Sequence, residues 1–208
     1  MKTNKFNVSD KVEFEHYFTR KPTSEKVVNE ITTYIKNHKF IFRTSSGMFS
    51  KERVDKGSEL LIENAVIEDG WKVLDLGCGW GSIGIAIKKV FPSTEVTMID
   101  INERAISLAK RNAKINNVKA DIKQGNLYEN ITDKFDAIIV NPPMKAGRET
   151  CYAIIEKAKE RLNENGLLQL VALHNKGGAM LEKKMKEVFG NVETVAKKSG
   201  FRVYISKL

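Results

Sequence analysis

The chain has 208 residues, 41% hydrophobic and 29% charged, which excludes disorder and suits one domain with an extension. A formal net charge of +9 and a pI near 9.4 make a field that attracts polyanions such as RNA, although scattered lysines supply most of it, as on some heat-adapted surfaces. Cys78 and Cys151 stand in unrelated contexts, which excludes a disulfide framework and a metal-ligand spacing, and the longest apolar runs, such as 137–140 and 170–173, are far too short to span a bilayer.

Met1 to Asp10 is polar and lacks the apolar core of a secretion signal, so a cytoplasmic protein is expected. Val12, Phe14 and His16 alternate with charged residues, a strand signal. Pro22 breaks the chain. Ser24 is expected to cap a helix through Val27, Val28, Ile31 and Ile35. Residues 39–43 read as a strand and Ser45-Ser46-Gly47 as a turn. Residues 1–53 are thus expected to form a small cap on a core built by 54–208, the whole of 1–208 being one domain, monomeric by default.

In the core, 55–65 reads as a helix with Leu60 and Leu61 inward, and 72–76 as the first strand. Residues 82–90 form a helix with Ile83, Ala86, Ile87 and Val90 on one face. Strands are expected at 95–99, 120–124, 135–140 and 167–173. Between them lie a helix capped by Asn102 and running to Ile115, and another over 150–162 that Asn165-Gly166 ends. A last helix over 176–189 precedes strands at 192–197 and 202–206, joined at Ser199-Gly200. This alternation predicts an α/β fold: a parallel sheet with helices on both faces, into which the final hairpin inserts one antiparallel strand.

The most informative stretch is Val73-Leu74-Asp75-Leu76-Gly77-Cys78-Gly79-Trp80-Gly81. A buried strand, three alternate glycines and a helix point backbone N–H groups at a ligand. One glycine would serve a plain turn. In open α/β sheets ligands sit at the carboxyl ends of the strands, where Asp75, Asp100, Asn126 and Asn141 all fall. Asp100, 21 residues after Gly79, is placed to accept from both hydroxyls of a ribose; its plainer role is capping the next helix. Ile101 would then flank an adenine. Asn126 would bond the adenine amino group and Leu127 contact its ring, although an Asn in a turn is common without function.

Two cofactors compete for this loop. Residues 79–84 match G-x-G-x-x-G, with Asp100 at the spacing of a nicotinamide enzyme. Against this, Gly77 comes first, Trp80 is bulky where a pyrophosphate loop needs bare backbone, and no His, Tyr or Lys stands out at a strand end to serve hydride transfer. Asn141-Pro142-Pro143-Met144 follows the fourth strand directly. Its prolines have fixed φ and no N–H, and Pro142 keeps Asn141 extended. The Asn141 side-chain oxygen and the Pro142 carbonyl can both accept from a flat –NH2 group, although two prolines also make a simple chain reversal.

Together Asp75-Leu76-Gly77-Cys78-Gly79, Asp100 and Asn141-Pro142-Pro143 resemble class I S-adenosylmethionine-dependent methyltransferases acting on exocyclic or amide nitrogen. More narrowly the chain resembles the small-subunit ribosomal RNA guanine-N2 methyltransferase family (RsmC-like, catalytic half). His16-Tyr17-Phe18 with Pro22, and Gly47-Met48-Phe49-Ser50 with Asp55 and Gly57, extend the resemblance over nearly the whole chain. It implies a Rossmann-like, seven-stranded, mostly parallel sheet in the order 3-2-1-4-5-7-6, with strand 7 antiparallel. It also implies S-adenosylmethionine as cofactor, no metal, and an RNA substrate, rRNA or the small ribosomal subunit.

By the same resemblance Gly77, Cys78 and Gly79 cradle the methionine part of the cofactor, with Asp75 near its amino group. Asp100 takes the ribose and Asn126 the adenine, and Phe49 closes over the cofactor. Asn141 and Pro142 hold the acceptor amine, while Pro143, Met144 and Lys145 face the substrate. Met144 stands where the family usually has an aromatic residue, and Lys145 where it has His. A thioether still packs on a ring face, less specifically. Larger members carry a further domain before this half, and the expectation here is the catalytic half alone. Arg43, Lys51, Arg53, Lys145 and Arg148 are candidates to hold phosphates. Cys78 reads as a small buried filler, and His16, His38 and His174 as structural or exposed. A protein-glutamine or DNA-adenine N-methyltransferase would share the NPP turn. An NAD-dependent oxidoreductase and a non-catalytic RNA-binding module remain alternatives of another kind.

Overall fold

The computed structural model describes residues 28–45 and 53–208. The expected strand near Val12, the turn at Ser46-Gly47, and Phe49 and Lys51 lie outside the described residues. Two antiparallel strands come first, β1 (Val28–Ile35) and β2 (His38–Ser45). Then follow α1 (Lys56–Asn64), β3 (Lys72–Leu76), α2 (Ser82–Val90), β4 (Glu95–Asp100), α3 (Glu103–Ile115), β5 (Asp121–Gln124) and β6 (Phe135–Val140). The chain closes with α4 (Arg148–Arg161), β7 (Leu162–Leu173), α5 (Gly178–Phe189), β8 (Glu193–Lys198) and β9 (Phe201–Lys207). The seven-stranded sheet runs β5-β4-β3-β6-β7-β9-β8, with β9 antiparallel to both its neighbours. This is the strand order that the resemblance implies.

Side chains alternate across each strand, so one strand feeds two cores. Val73, Ala137, Ile139, Val171 and Val203 face the layer of α1, α2 and α3. Leu74, Leu76, Ile138, Val140, Leu168 and Tyr204 face α4 and α5. β3 is buried from its second residue onward, the pattern of a central parallel strand. Asp75 falls by this alternation on the α2 face.

Two expectations fail. Residues 28–35 form a strand, not the end of a helix from Ser24. The spacing of Val28, Ile31 and Ile35 fits a helical face, but Ile31, Thr33 and Ile35 also share one face of a strand, and β-branched residues favour that state. The turn uses Lys36 and Asn37 at φ 47° and 64°, with no glycine to announce it. The hairpin is then held on α3. Asn116 bonds the N–H and C=O of Ile41 at 3.1 and 2.8 Å, and Asn112 those of Arg43 at 2.7 and 2.9 Å. Second, Asn165-Gly166 does not end a helix. The helix stops at Arg161, and Asn165, at φ 65°, lies in a bulge where Phe135–Ala137 of β6 faces Leu162–Leu167 of β7.

Candidate active site

The glycine loop folds over the end of β4. The N–H groups of Gly77 and Cys78 both donate to the Ile99 carbonyl at 2.8 Å. Gly77, Gly79 and Gly81 take φ of 74°, 57° and 94°. Among the described residues, a Cβ added at Gly77 would meet nothing within 4 Å; one at Gly81 would lie 2.8 Å from Ile85 Cδ1 and 2.9 Å from Met98 Cε. Trp80 is no obstacle, because it turns down into the core and packs on Phe42 with ring centroids 4.9 Å apart. Cys78 is buried, and burial pushes its thiol well up, so it is the filler expected.

Asp75 Oδ2 accepts from Gly84 N at 2.8 Å, while Oδ1 is buried with no hydrogen-bond partner among the described residues. Burial raises its carboxyl to about 7; the Gly84 N–H opposes this and the negative charge of Asp100 adds to it. Asp100 lies two residues past Met98, the β4 partner of Asp75. Its Oδ2 accepts from Gly79 N and its Oδ1 from Asn102 N, both at 2.8 Å. Asp100 thereby ties the glycine loop to the start of α3. The helix cap is Asn102, as expected.

Ile101 is half-buried beyond β4. Gly125 N donates to the Asp100 carbonyl at 3.1 Å, which sets the next loop beside Asp100. There Asn126 is exposed, with its N–H donated to Glu129, and half-buried Leu127 takes φ 52°.

On the other side, Asp75 pairs with Ile139 of β6, so Asn141 lies two residues past that partner. Asp100 and Asn141 thus flank Asp75 symmetrically, two strand spacings or roughly 10 Å apart across the sheet. Pro143, at φ −76° and ψ 78°, closes an inverse γ-turn in which Met144 N donates to the Pro142 carbonyl at 2.9 Å. That carbonyl keeps its second lone pair. Met144 is half-buried. Its methyl covers Gly177 after β7, and its sulfur lies 4.0 Å from Cys151 Sγ. Lys145 is exposed. The Asn141 amide nitrogen donates to the Asp55 carboxylate at 3.3 and 3.4 Å and to Ser58 Oγ at 3.1 Å. Ser58 and Asn112 acquire positions at the site that no motif announces, while Asp55 and Gly84 stand in quoted motifs that gave neither of them this role. Among the described residues no group of three or more His, Cys, Asp or Glu is placed to hold a metal, and no helix is long and apolar enough to cross a membrane.

A family model for the methyltransferase small domain matches residues 39–205. The chain is 37% identical over 199 residues to the uncharacterized protein YbxB of Bacillus subtilis (strain 168), covering 93% of this chain and 98% of that one. It is 32% identical over 208 residues to ribosomal RNA small subunit methyltransferase C of Haemophilus influenzae (strain 86-028NP), covering 97% of this chain and 59% of the relative. The chain therefore spans little more than half the length of that relative. Among solved structures, the T. thermophilus 16S rRNA N2 G1207 methyltransferase (RsmC) in complex with AdoMet and guanosine superposes with a TM-score of 0.76 at 23% identity, over 89% of this chain and 52% of that one. A methyltransferase from Pyrococcus furiosus gives 0.64 at 21% identity, over 72% and 81%. The fold is that of the class I methyltransferases, and since the family match runs from the second hairpin strand to the last strand of the sheet, the chain belongs to the methyltransferase small domain family.

Proposed function

We propose that this chain transfers a methyl group from S-adenosylmethionine to an exocyclic amino nitrogen of an RNA base, guanine N2 of small-subunit rRNA being favoured, in the cytoplasm. The observation that carries the reading is Asn141, at the strand tip beside Asp75, with its amide nitrogen bound to Asp55 and Ser58 and its oxygen left for an incoming N–H. The names of the Haemophilus relative and the Thermus structure support the substrate. The net charge of +9 suits a polyanion.

The residues present fit the cofactor. Among the described residues, the unpartnered Oδ1 of Asp75 matches an ammonium group and the open face of Gly77 admits a ligand against the backbone, and the Asp100 carboxylate at the end of β4 would take the ribose hydroxyls. Ile101, Asn126 and Leu127 would flank the adenine, and Phe49 would close over the cofactor. When bound, the sulfonium supplies an electrophilic methyl and a neutral leaving group. The chain's part is position and charge. Asn141 Oδ1 and the Pro142 carbonyl would accept the two N–H groups of the acceptor and hold its lone pair in line with the methyl. Pro143, Met144 and Lys145 would border the base. With the methyl passed from sulfur to nitrogen, Asn141 and Pro142 would still hold the acceptor nitrogen while its surplus proton leaves to solvent. No covalent enzyme intermediate is required.

Calorimetry with S-adenosylhomocysteine and with NAD tests the cofactor; binding of NAD alone would overturn the reading. Labelled methyl transfer to small ribosomal subunits, DNA and translation factors then tests the substrate, and RNA binding without turnover would favour a binding module. Asn141→Ala should collapse transfer to a small measurable remainder while S-adenosylhomocysteine still binds.

A further inference from the structure

An asparagine amide has a donor end and an acceptor end of nearly equal shape, and a half-turn about its last bond exchanges them. Only the oxygen end suits an acceptor that arrives as an amine. At Asn141 the choice is made by residues 86 and 83 positions away. A carboxylate accepts and never donates, so the Asp55 oxygens require the NH2 end of Asn141 to face them. Ser58 Oγ takes the same nitrogen from a second direction. Asp55 is itself fixed, because Oδ1 caps α1 by accepting from Gly57 N and Ser58 N at 3.0 and 3.1 Å. The helix start is pinned from the other side too. A Cβ at Gly57 would lie 2.9 Å from the Phe201 ring, so α1 sits hard against β9.

We infer that Asp55 is the positioning residue of this site: with Ser58 it locks the Asn141 amide oxygen-outward, which makes the site select acceptors that carry N–H over bare ring nitrogens. This rests on Asn141 as the residue that holds the acceptor amine. The lock is preorganised, so no side chain has to turn when substrate arrives.

The test is Asp55→Asn. Asn caps a helix as well as Asp does, so α1 should survive. Its own NH2 group, however, then stands where Oδ2 accepts from Asn141 at 3.4 Å; that donor–donor contact leaves the Asn141 nitrogen only the shared capping oxygen and Ser58 Oγ, and loosens the lock. The expected kcat/KM for methyl transfer to small ribosomal subunits falls about a hundredfold, the scale of a mispositioned reacting group. S-adenosylhomocysteine affinity and Tm stay unchanged. Combined with Asn141→Ala, Asp55→Asn should cost nothing further, because both act through one group. Ser58→Ala, which leaves the cap intact, should give a smaller loss of the same kind and serves if Asp55→Asn does not fold. Additive losses, or unchanged turnover in both single variants, would overturn the assignment. A readout independent of turnover is the Asn141 side-chain amide resonance in 15N-labelled protein: it should move in Asp55→Asn while the backbone signals of α1 beyond its first turn stay. If the wild type binds S-adenosylhomocysteine but methylates no acceptor, the functional reading fails, and an unmoved Asn141 resonance would separately overturn the role of Asp55.

Discussion

The backbone N–H of Gly84 donates to one carboxylate oxygen of Asp75 at 2.8 Å, while the other oxygen is buried with no hydrogen-bond partner among the described residues. The close approach is possible because residue 84 has no side chain: a Cβ there would lie 3.0 Å from Asp75 Oδ2 and 2.7 Å from Met98 Cγ. Strand, helix and acid are therefore packed to leave a half-satisfied charge at the point where a cationic ligand group is expected.

That charge has a pH signature. The folded carboxyl titrates at about 7 against an ordinary 3.8, mainly through burial. Between these values the folded state holds a proton that the unfolded state has lost, so stability falls as pH rises from about 4 to 7, by up to ~4 kcal/mol. Melts of the ligand-free protein across this range should show that slope, and Asp75→Asn should remove it. An ammonium group beside Asp75 favours the charged form. S-adenosylhomocysteine binding should therefore release a proton near pH 6.5, measurable by calorimetry in buffers of different ionisation enthalpy.

Asn112 ties the hairpin to the cofactor loop. It bonds both backbone groups of Arg43 and also donates to the Trp80 carbonyl at 2.8 Å, all from a fully buried side chain. Asn112→Ala leaves these groups unpaired and should cost roughly 3 kcal/mol in urea unfolding. It should also weaken S-adenosylhomocysteine binding, since the Trp80 end of the loop loses its anchor.

Two glycines of the loop should respond differently to alanine. Gly77→Ala meets the left-handed backbone penalty, roughly 1–2 kcal/mol, because no described residue lies within 4 Å of the added carbon. Its methyl should instead cost more in ligand affinity than in Tm. Gly81→Ala adds overlap with Ile85 and Met98, contacts under 3 Å, and should lower Tm first. Paired melts and titrations separate the two.

Neither thiol should react in the folded state. Cys78 and Cys151 are both buried, and burial raises both thiols above their ordinary range. A thiol-labelling assay should count no fast cysteine in buffer and two in urea, and brief treatment with the reagent should leave methyl transfer intact.

Much of the core was legible because its signals are local. The burial of 73–76, the glycines after it, the Asn102 cap and the strand before Asn141 are each encoded within a few residues of where they act. Residues 28–35 were not, because their apolar spacing fits a helix and a strand alike and the deciding partners lie on β2 and α3. The amino-acid sequence by itself determined the order of elements from α1 onward and the places of the glycine loop and the asparagine turn at the strand ends, since short-range periodicity and turn chemistry specify them. The tertiary structure alone decided which way that asparagine faces. Its orientation depends on Asp55, 86 residues upstream, and packing α1 against the sheet is what brings a carboxylate to the amide nitrogen.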